Sequence, residues 1–318
     1  MFDRSRLPSY AELSARTDGR RPGTAWGLFG DEDEVGTVNL LDAERVQAGL
    51  REARHGEVHA LNWQIDRPAP NPYRPAPERT HIIVPGLARD DYLSSFYLQY
   101  SSQWDGLRHI ELDASFYNGF SAEQVDDPAS TTLGIQHWAR RGITGRGVLL
   151  DVARHAAQAG APLDPAIRTE ITPDVLDATA AAQGTTIEIG DVLLIRTGWV
   201  GWYESLSLDA RAAALTTESG QPGLAPTEEV AAWLWDAHVS AVAADNTGLE
   251  AFPLDMRPGT FLHHWLIPGF GMPIGEHFWL DDLAAACAGE ERWTFLFVSA
   301  PLNVVGGVGS PPNALAIR

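Results

Sequence analysis

Two short apolar runs constrain this chain more than any other feature. Gly147-Val-Leu-Leu-Asp-Val-Ala153 and Asp191-Val-Leu-Leu-Ile-Arg-Thr-Gly198 are opened by turn residues and are too short for ordinary helices, so each predicts a buried strand. Between them, Thr172-Pro-Asp-Val-Leu-Asp-Ala-Thr-Ala-Ala-Ala places proline in the first turn of a helix, where the N–H it lacks would have no partner anyway. Strand, helix, strand is the resulting order. A strongly apolar helix from Glu228 to Ala237, carrying Val230, Trp233, Leu234 and Trp235, then leads into a strand over Ser240–Asp245. That strand ends in Asp245-Asn-Thr-Gly, which puts polar groups at a carboxyl end, a common place for sites in α/β folds. A turn-capping aspartate fits the same residues equally well.

The remaining segments are arranged around these strands. Residues 1–22 are polar and arginine-rich, an N-terminal arm with one helical fragment at Ala11–Arg16. Glycines and acids over 26–39 suit a compact loop, and Leu41–Leu50 has helical spacing with Asp42 as its N-cap. Glu57–Trp63 alternates as a strand, the Pro-rich stretch 68–77 is an extended surface loop, and Ser115–Gly119 is turn-forming. A short helix at Gly134–Arg141, a helix near Asp281–Ala288, a strand at Thr294–Ser299 and a Gly/Pro-rich tail through Asn313 complete the reading. Too few residues precede the Pro-rich loop to form a separate domain, so one domain is expected over 1–318.

Composition removes whole classes of chemistry. All 23 basic residues are arginine, which excludes a lysine Schiff base, a pyridoxal phosphate anchor and a phosphate-loop lysine. The single cysteine, Cys287, allows no intrachain disulfide and no cysteine zinc cluster. A formal net charge of −19 argues against nucleic acid or an anionic membrane as partner and favours a small molecule. No signal-peptide pattern and no run of about 18 apolar residues is found, so a cytoplasmic location is expected. There is no Gly-x-Ser-x-Gly elbow and no His-Glu-x-x-His helix. No Gly-x-Gly-x-x-Gly stands between a strand and a helix, so a nucleotide cofactor is not expected.

Chemistry is concentrated in Gln99-Tyr-Ser-Ser-Gln-Trp-Asp-Gly-Leu-Arg-His109, which holds a carboxylate, an imidazole, a guanidinium and two amides in eleven residues. Asp105 and His109 are four apart with Gly106 between them, so a strand bending into a loop brings them together better than a helix does. The stretch resembles the signature of the cyclase family, which includes kynurenine formamidases and isatin hydrolase, with its His-x-Gly-Thr-His-x-Asp-x-Pro-x-His run. Asp105 and His109 match its last acidic and last basic positions, whereas Gln99 and Gln103 stand where the two earlier histidines would be. Trp26 to Leu41 and Ser299-Ala-Pro-Leu-Asn303 resemble the family's opening segment and closing strand.

The resemblance implies an α/β fold, a swivelling β/β/α domain, expected as a homo-oligomer. It also gives a role to the second cluster, His263-His-Trp-Leu-Ile-Pro-Gly-Phe-Gly-Met-Pro-Ile-Gly-Glu276. His264 and Glu276, twelve apart, would complete a zinc or manganese site with Asp105, with His263 as the alternative to His264. Neutral glutamines are poorer ligands than imidazoles, so weak binding or none is the expectation. His109, Asp105 and Glu276 are the expected catalytic residues, and Gln103, Arg108, Trp104 and Tyr117 the expected substrate contacts. Eleven tryptophans, with Trp104, Trp265 and Trp279 in or beside the two clusters, favour an aromatic or cyclic substrate. The expected reaction is hydrolysis of an amide or lactam C–N bond with His109 as base. A metal-free cyclase or lyase acting on a biosynthetic intermediate is the alternative.

Overall fold

A computed structural model describes residues 7–318. Residues 1–6 of the expected arm lie outside the described residues. Thirteen strands occur among the described residues: β1 (Val58–Ala60), β2 (Glu78–Val84), β3 (Ala88–Ser94), β4 (Gln103–Asp105), β5 (Ile143–Asp151), β6 (Glu170–Ile171), β7 (Val192–Arg196), β8 (Gly223–Leu224), β9 (Ala241–Ala244), β10 (Ile274–Glu276), β11 (Thr294–Ser299), β12 (Gly309–Ser310) and β13 (Ala314–Ile317). Nine of them form one sheet in the order β1-β13-β11-β5-β7-β9-β10-β4-β12. Its centre, β5-β7-β9-β10, is parallel, and the strands on both flanks pair antiparallel. This is the swivelling β/β/α arrangement.

The apolar runs read as strands form that parallel centre. Val148, Leu149, Leu150 and Val192 to Ile195 are all fully buried, because helices cover the sheet where parallel crossovers run. The crossover helix Pro173–Gln183 has Pro173 in its first turn. Asp42 caps the helix Ala43–Glu52 by accepting from the Arg45 N–H at 3.1 Å. The arm's helix, Tyr10–Ser14, is tied to the helix Glu228–Asp236, with the Tyr10 N–H donating to Asp236 at 2.6 Å and its hydroxyl to Glu228 at 2.9 Å.

Two elements depart from the sequence reading. The segment after the Pro-rich loop is an antiparallel hairpin, β2-β3, solvated on both faces, so no single apolar face marks it in the sequence. Within the tail Gly309–Ser310 forms β12 against β4, and beyond it Ala314–Ile317 forms β13, between β1 and β11.

What positions the site is the pairing of β4 with β10. Gln103 lies opposite Glu276, and Asp105 opposite Ile274. Side chains alternate along a strand, so Gln103, Asp105 and Glu276 share one face while Trp104 and Gly275 share the other. A β-carbon at Gly275 would collide with Ala243 and Phe278, so only glycine lets β10 lie this close to its neighbours.

Candidate active site

Asp105 and Glu276 project from that shared face into the protein interior, and both are buried. Glu276 Oε2 accepts from the Gln103 amide at 2.6 Å, and Asp105 Oδ1 accepts from the Gln99 amide. The two glutamines therefore hold the two carboxylates. Because a carboxylate only accepts, the Gln103 NH₂ must face Glu276, and its carbonyl oxygen is left buried without a partner. Asp105 Oδ2 is likewise buried and unpartnered.

The imidazole that joins them is His263. Its Nε2 is 3.4 Å from Glu276 Oε1 and 3.9 Å from Asp105 Oδ2. Its Nδ1 lies 2.5 Å from Glu250 Oε1, and the ring stacks on Phe261 with centroids 4.4 Å apart. Burial alone would lower the His263 pKa, but Glu250 and Glu276 outweigh it and hold it at about 10. Burial raises the Asp105 pKa, the positive charges nearby only partly opposing it. Burial also pushes Glu276 upward, yet the hydrogen bond and charge of His263 bring it below the usual carboxylate range.

His264, the expected metal ligand, does not reach the cluster. Consecutive residues on a helical turn project roughly 100° apart. On the turn Leu262–His264 this sends His263 to the carboxylates and His264 toward a cavity of about 220 Å³ lined by Tyr10, Arg21, Asp113 and Trp265. The histidine-to-glutamate separation is thus thirteen residues, from His263 to Glu276. A π-helical stretch, Trp265–Phe270, follows directly, a feature frequent beside functional sites.

His109 sits at the rim, where β4 has bent into a turn. Its Nε2 is 3.7 Å from Asp105 Oδ1, and its Nδ1 is 3.1 Å from the Gln99 amide nitrogen. With the Gln99 NH₂ donating to Asp105, its second hydrogen faces Nδ1, so the neutral ring carries its proton on Nε2, toward Asp105.

Three expected substrate contacts are spent elsewhere. Trp104 is on the opposite face of β4, packed against Phe278 and Phe297 with its N–H donating to Ser299 at 2.9 Å. Arg108 donates to the carbonyls of Val125, Ser130 and Gly306, tying the turn after β4 to the 125–130 segment and to the loop at Gly306. Tyr117 is buried with its hydroxyl donating to Asp33 at 3.0 Å. Gln103 alone of the four belongs to the cluster. Glu250 and Phe261 were not singled out in the sequence, since no spacing rule links them to either motif.

The donor set fits a divalent ion. Asp105, His263 and Glu276 each offer one ligand atom, all within 4.8 Å of one another. Ligand atoms about 2.1 Å from a tetrahedral ion lie roughly 3.4 Å apart, near the separations found here. The unpartnered Asp105 Oδ2 lies 3.9 Å from His263 Nε2.

Residues 36–251 match the Cyclase family model, described as "Putative cyclase". A solved structure described as a novel cyclase is 32% identical and superposes with a TM-score of 0.83, covering 93% of this chain and 97% of that one. An isatin hydrolase bound to the product analogue thioisatinate is 18% identical, with a TM-score of 0.59 over 87% of this chain and 99% of that one. A "predicted metal-dependent hydrolase" from Bacillus stearothermophilus is 18% identical, with a TM-score of 0.51 over 82% of this chain and 97% of that one. No curated protein matches. Among the described residues no helix is long and apolar enough to cross a membrane. The shared fold, the family match over most of the length and the close 32% identical relative agree: the chain belongs to the cyclase family.

Proposed function

We propose that the chain hydrolyses an amide or lactam C–N bond in a small aromatic or cyclic molecule, at a centre made by Asp105, His263 and Glu276 with His109 beside it. The observation that carries this reading is the cluster of Asp105, His263 and Glu276, in which the unpartnered Asp105 Oδ2 lies 3.9 Å and Glu276 Oε1 3.4 Å from His263 Nε2. Three buried carboxylates, Asp105, Glu250 and Glu276, face one imidazole, an excess of negative charge that a divalent cation would offset. A zinc or manganese ion held there would polarise the carbonyl and acidify a bound water.

The chain's own groups do the rest. Gln103 and Gln99 orient Glu276 and Asp105 through their amide hydrogens. His109 is the general base in this reading: a proton taken from water enters at Nδ1 in exchange for the 3.1 Å Gln99 contact. The imidazolium so formed keeps its Nε2–H toward Asp105, which stabilises it. The unpartnered Gln103 carbonyl oxygen can accept from a substrate N–H.

One observation favours a second reading, the metal-free cyclase or lyase. The Gln99 and Gln103 amides satisfy one oxygen each of Asp105 and Glu276, and His263, with its pKa at about 10, supplies a positive charge between them without an ion. Incubation of manganese-loaded protein with a panel of lactams and N-formyl aryl amides, isatin included, separates the two by product mass. Hydrolysis of a lactam gives one product heavier by one water, and hydrolysis of an N-formyl amide gives formate and an aryl amine lighter by CO. An isomeric product, or no turnover of any C–N substrate, overturns the hydrolase reading. In either reading the partner is a small molecule: with a net charge of −19, a low-salt gel shift should show no saturable complex with DNA or RNA.

A further inference from the structure

The segment that leaves β9 as Asp245-Asn-Thr-Gly is built to deliver one carboxylate. Asn246 donates to the carbonyls of Pro222 at 2.9 Å and Glu250 at 3.0 Å, closing the turn on itself. Leu249 is held in the left-handed region at φ 58, a conformation that non-glycine residues rarely adopt and that is kept where surrounding structure enforces it. A β-carbon at Gly223 would run into the Glu250 backbone, so glycine there lets β8 pass against the turn. The product of this arrangement is Glu250, fully buried, whose carboxylate hydrogen-bonds among the described residues only to His263.

We infer that Glu250 is the positioning residue of the centre, fixing the orientation of His263 and the proton on its Nδ1. Glu250 Oε1 accepts from His263 Nδ1 at 2.5 Å and from the His263 backbone N–H at 3.0 Å. A carboxylate cannot donate, so Nδ1 must carry a proton and Nε2 is the ring atom turned toward Asp105 and Glu276. The backbone bond ties the same carboxylate to the turn that carries the ring. Phe261, stacked on the imidazole with the rings nearly parallel, supports one face of the ring. Partners of this kind on a ligand histidine's second nitrogen set its affinity for the ion. That consequence rests on the metal reading proposed above, whereas the tether itself does not.

Two measurements on the full chain test it. Manganese alone is titrated into wild type and Glu250→Gln, which keeps the shape and removes the charge, and the expected loss is about 10- to 100-fold in affinity. Separately, protein labelled with ¹⁵N-histidine should show a far-downfield His263 Nδ1–H proton, identified by its absence in His263→Asn, that moves upfield in Glu250→Gln. Unchanged affinity with an unchanged resonance overturns the inference, as does a wild type without the downfield proton. A wild type that takes up no manganese defeats the metal reading instead, and the resonance alone then decides the role of Glu250.

Discussion

Asp105 and Asp245 are each 1% exposed, yet their surroundings differ. Asp245 Oδ1 accepts from the Thr197 N–H at 2.6 Å and its hydroxyl at 2.8 Å, and Oδ2 accepts from the Gly198 N–H at 2.8 Å. Both oxygens are used to hold the turn after β7, so Asp245 is the turn-capping aspartate. Asp105 has one oxygen held by Gln99, while the other meets only the open side of the His263 cluster. Leaving a buried carboxylate oxygen unpaired costs about 1–3 kcal/mol or more. Asp191 also has a buried oxygen without a partner, but its other oxygen is bound by the Arg146 guanidinium, whereas the unpaired Asp105 oxygen faces the His263 ring 3.9 Å away.

The largest effect expected on the functional side is at the base. His109→Asn should lower kcat by about 10²–10⁴-fold with unfolding unchanged. Unchanged turnover of the true substrate would remove His109 from the mechanism.

The comparison is sharpened by making the same change at both aspartates. Asp245→Asn puts an NH₂ against backbone donors and should cost about 1–3 kcal/mol in urea unfolding, with metal content preserved. Asp105→Asn should do the reverse, removing metal and activity while stability is unchanged or higher. Equal stability losses at the two positions would erase the distinction.

A smaller effect concerns pH. Burial lifts the Asp245 carboxyl to about 6, with Arg196 and Thr197 only partly opposing it. The unfolded value is near 3.9, so the folded state binds the proton more tightly. Its contribution is fully present below about pH 4 and is lost as pH rises through about 6. Unfolding free energies at pH 4.5 and 7 should therefore show a fall in wild type that is shallower in Asp245→Asn. An identical slope in both would contradict the assignment.

Much of this was legible because the two motifs fall on neighbouring strands, β4 and β10, so residues far apart in the chain share one face. The period of two along β4 also carried a signal for Trp104, which alternation sends away from Gln103 and Asp105. The choice between His263 and His264 was not legible, since it depends on how a one-turn helix docks against Glu250. Arg108 and Tyr117 look available in the sequence, and only the tertiary structure shows carbonyls from distant loops and Asp33 occupying them. Glu250 left no trace because its position follows from the turn after β9, not from a spacing.

The most direct test of the account is metal content measured by elemental analysis after purification without chelator, in wild type, His263→Asn, His264→Asn and Glu276→Gln. Zinc or manganese approaching one ion per chain is expected in wild type and His264→Asn, with its loss together with activity in His263→Asn and Glu276→Gln. Full activity with no metal found after exhaustive chelation, or loss of the ion in His264→Asn with retention in His263→Asn, would contradict it.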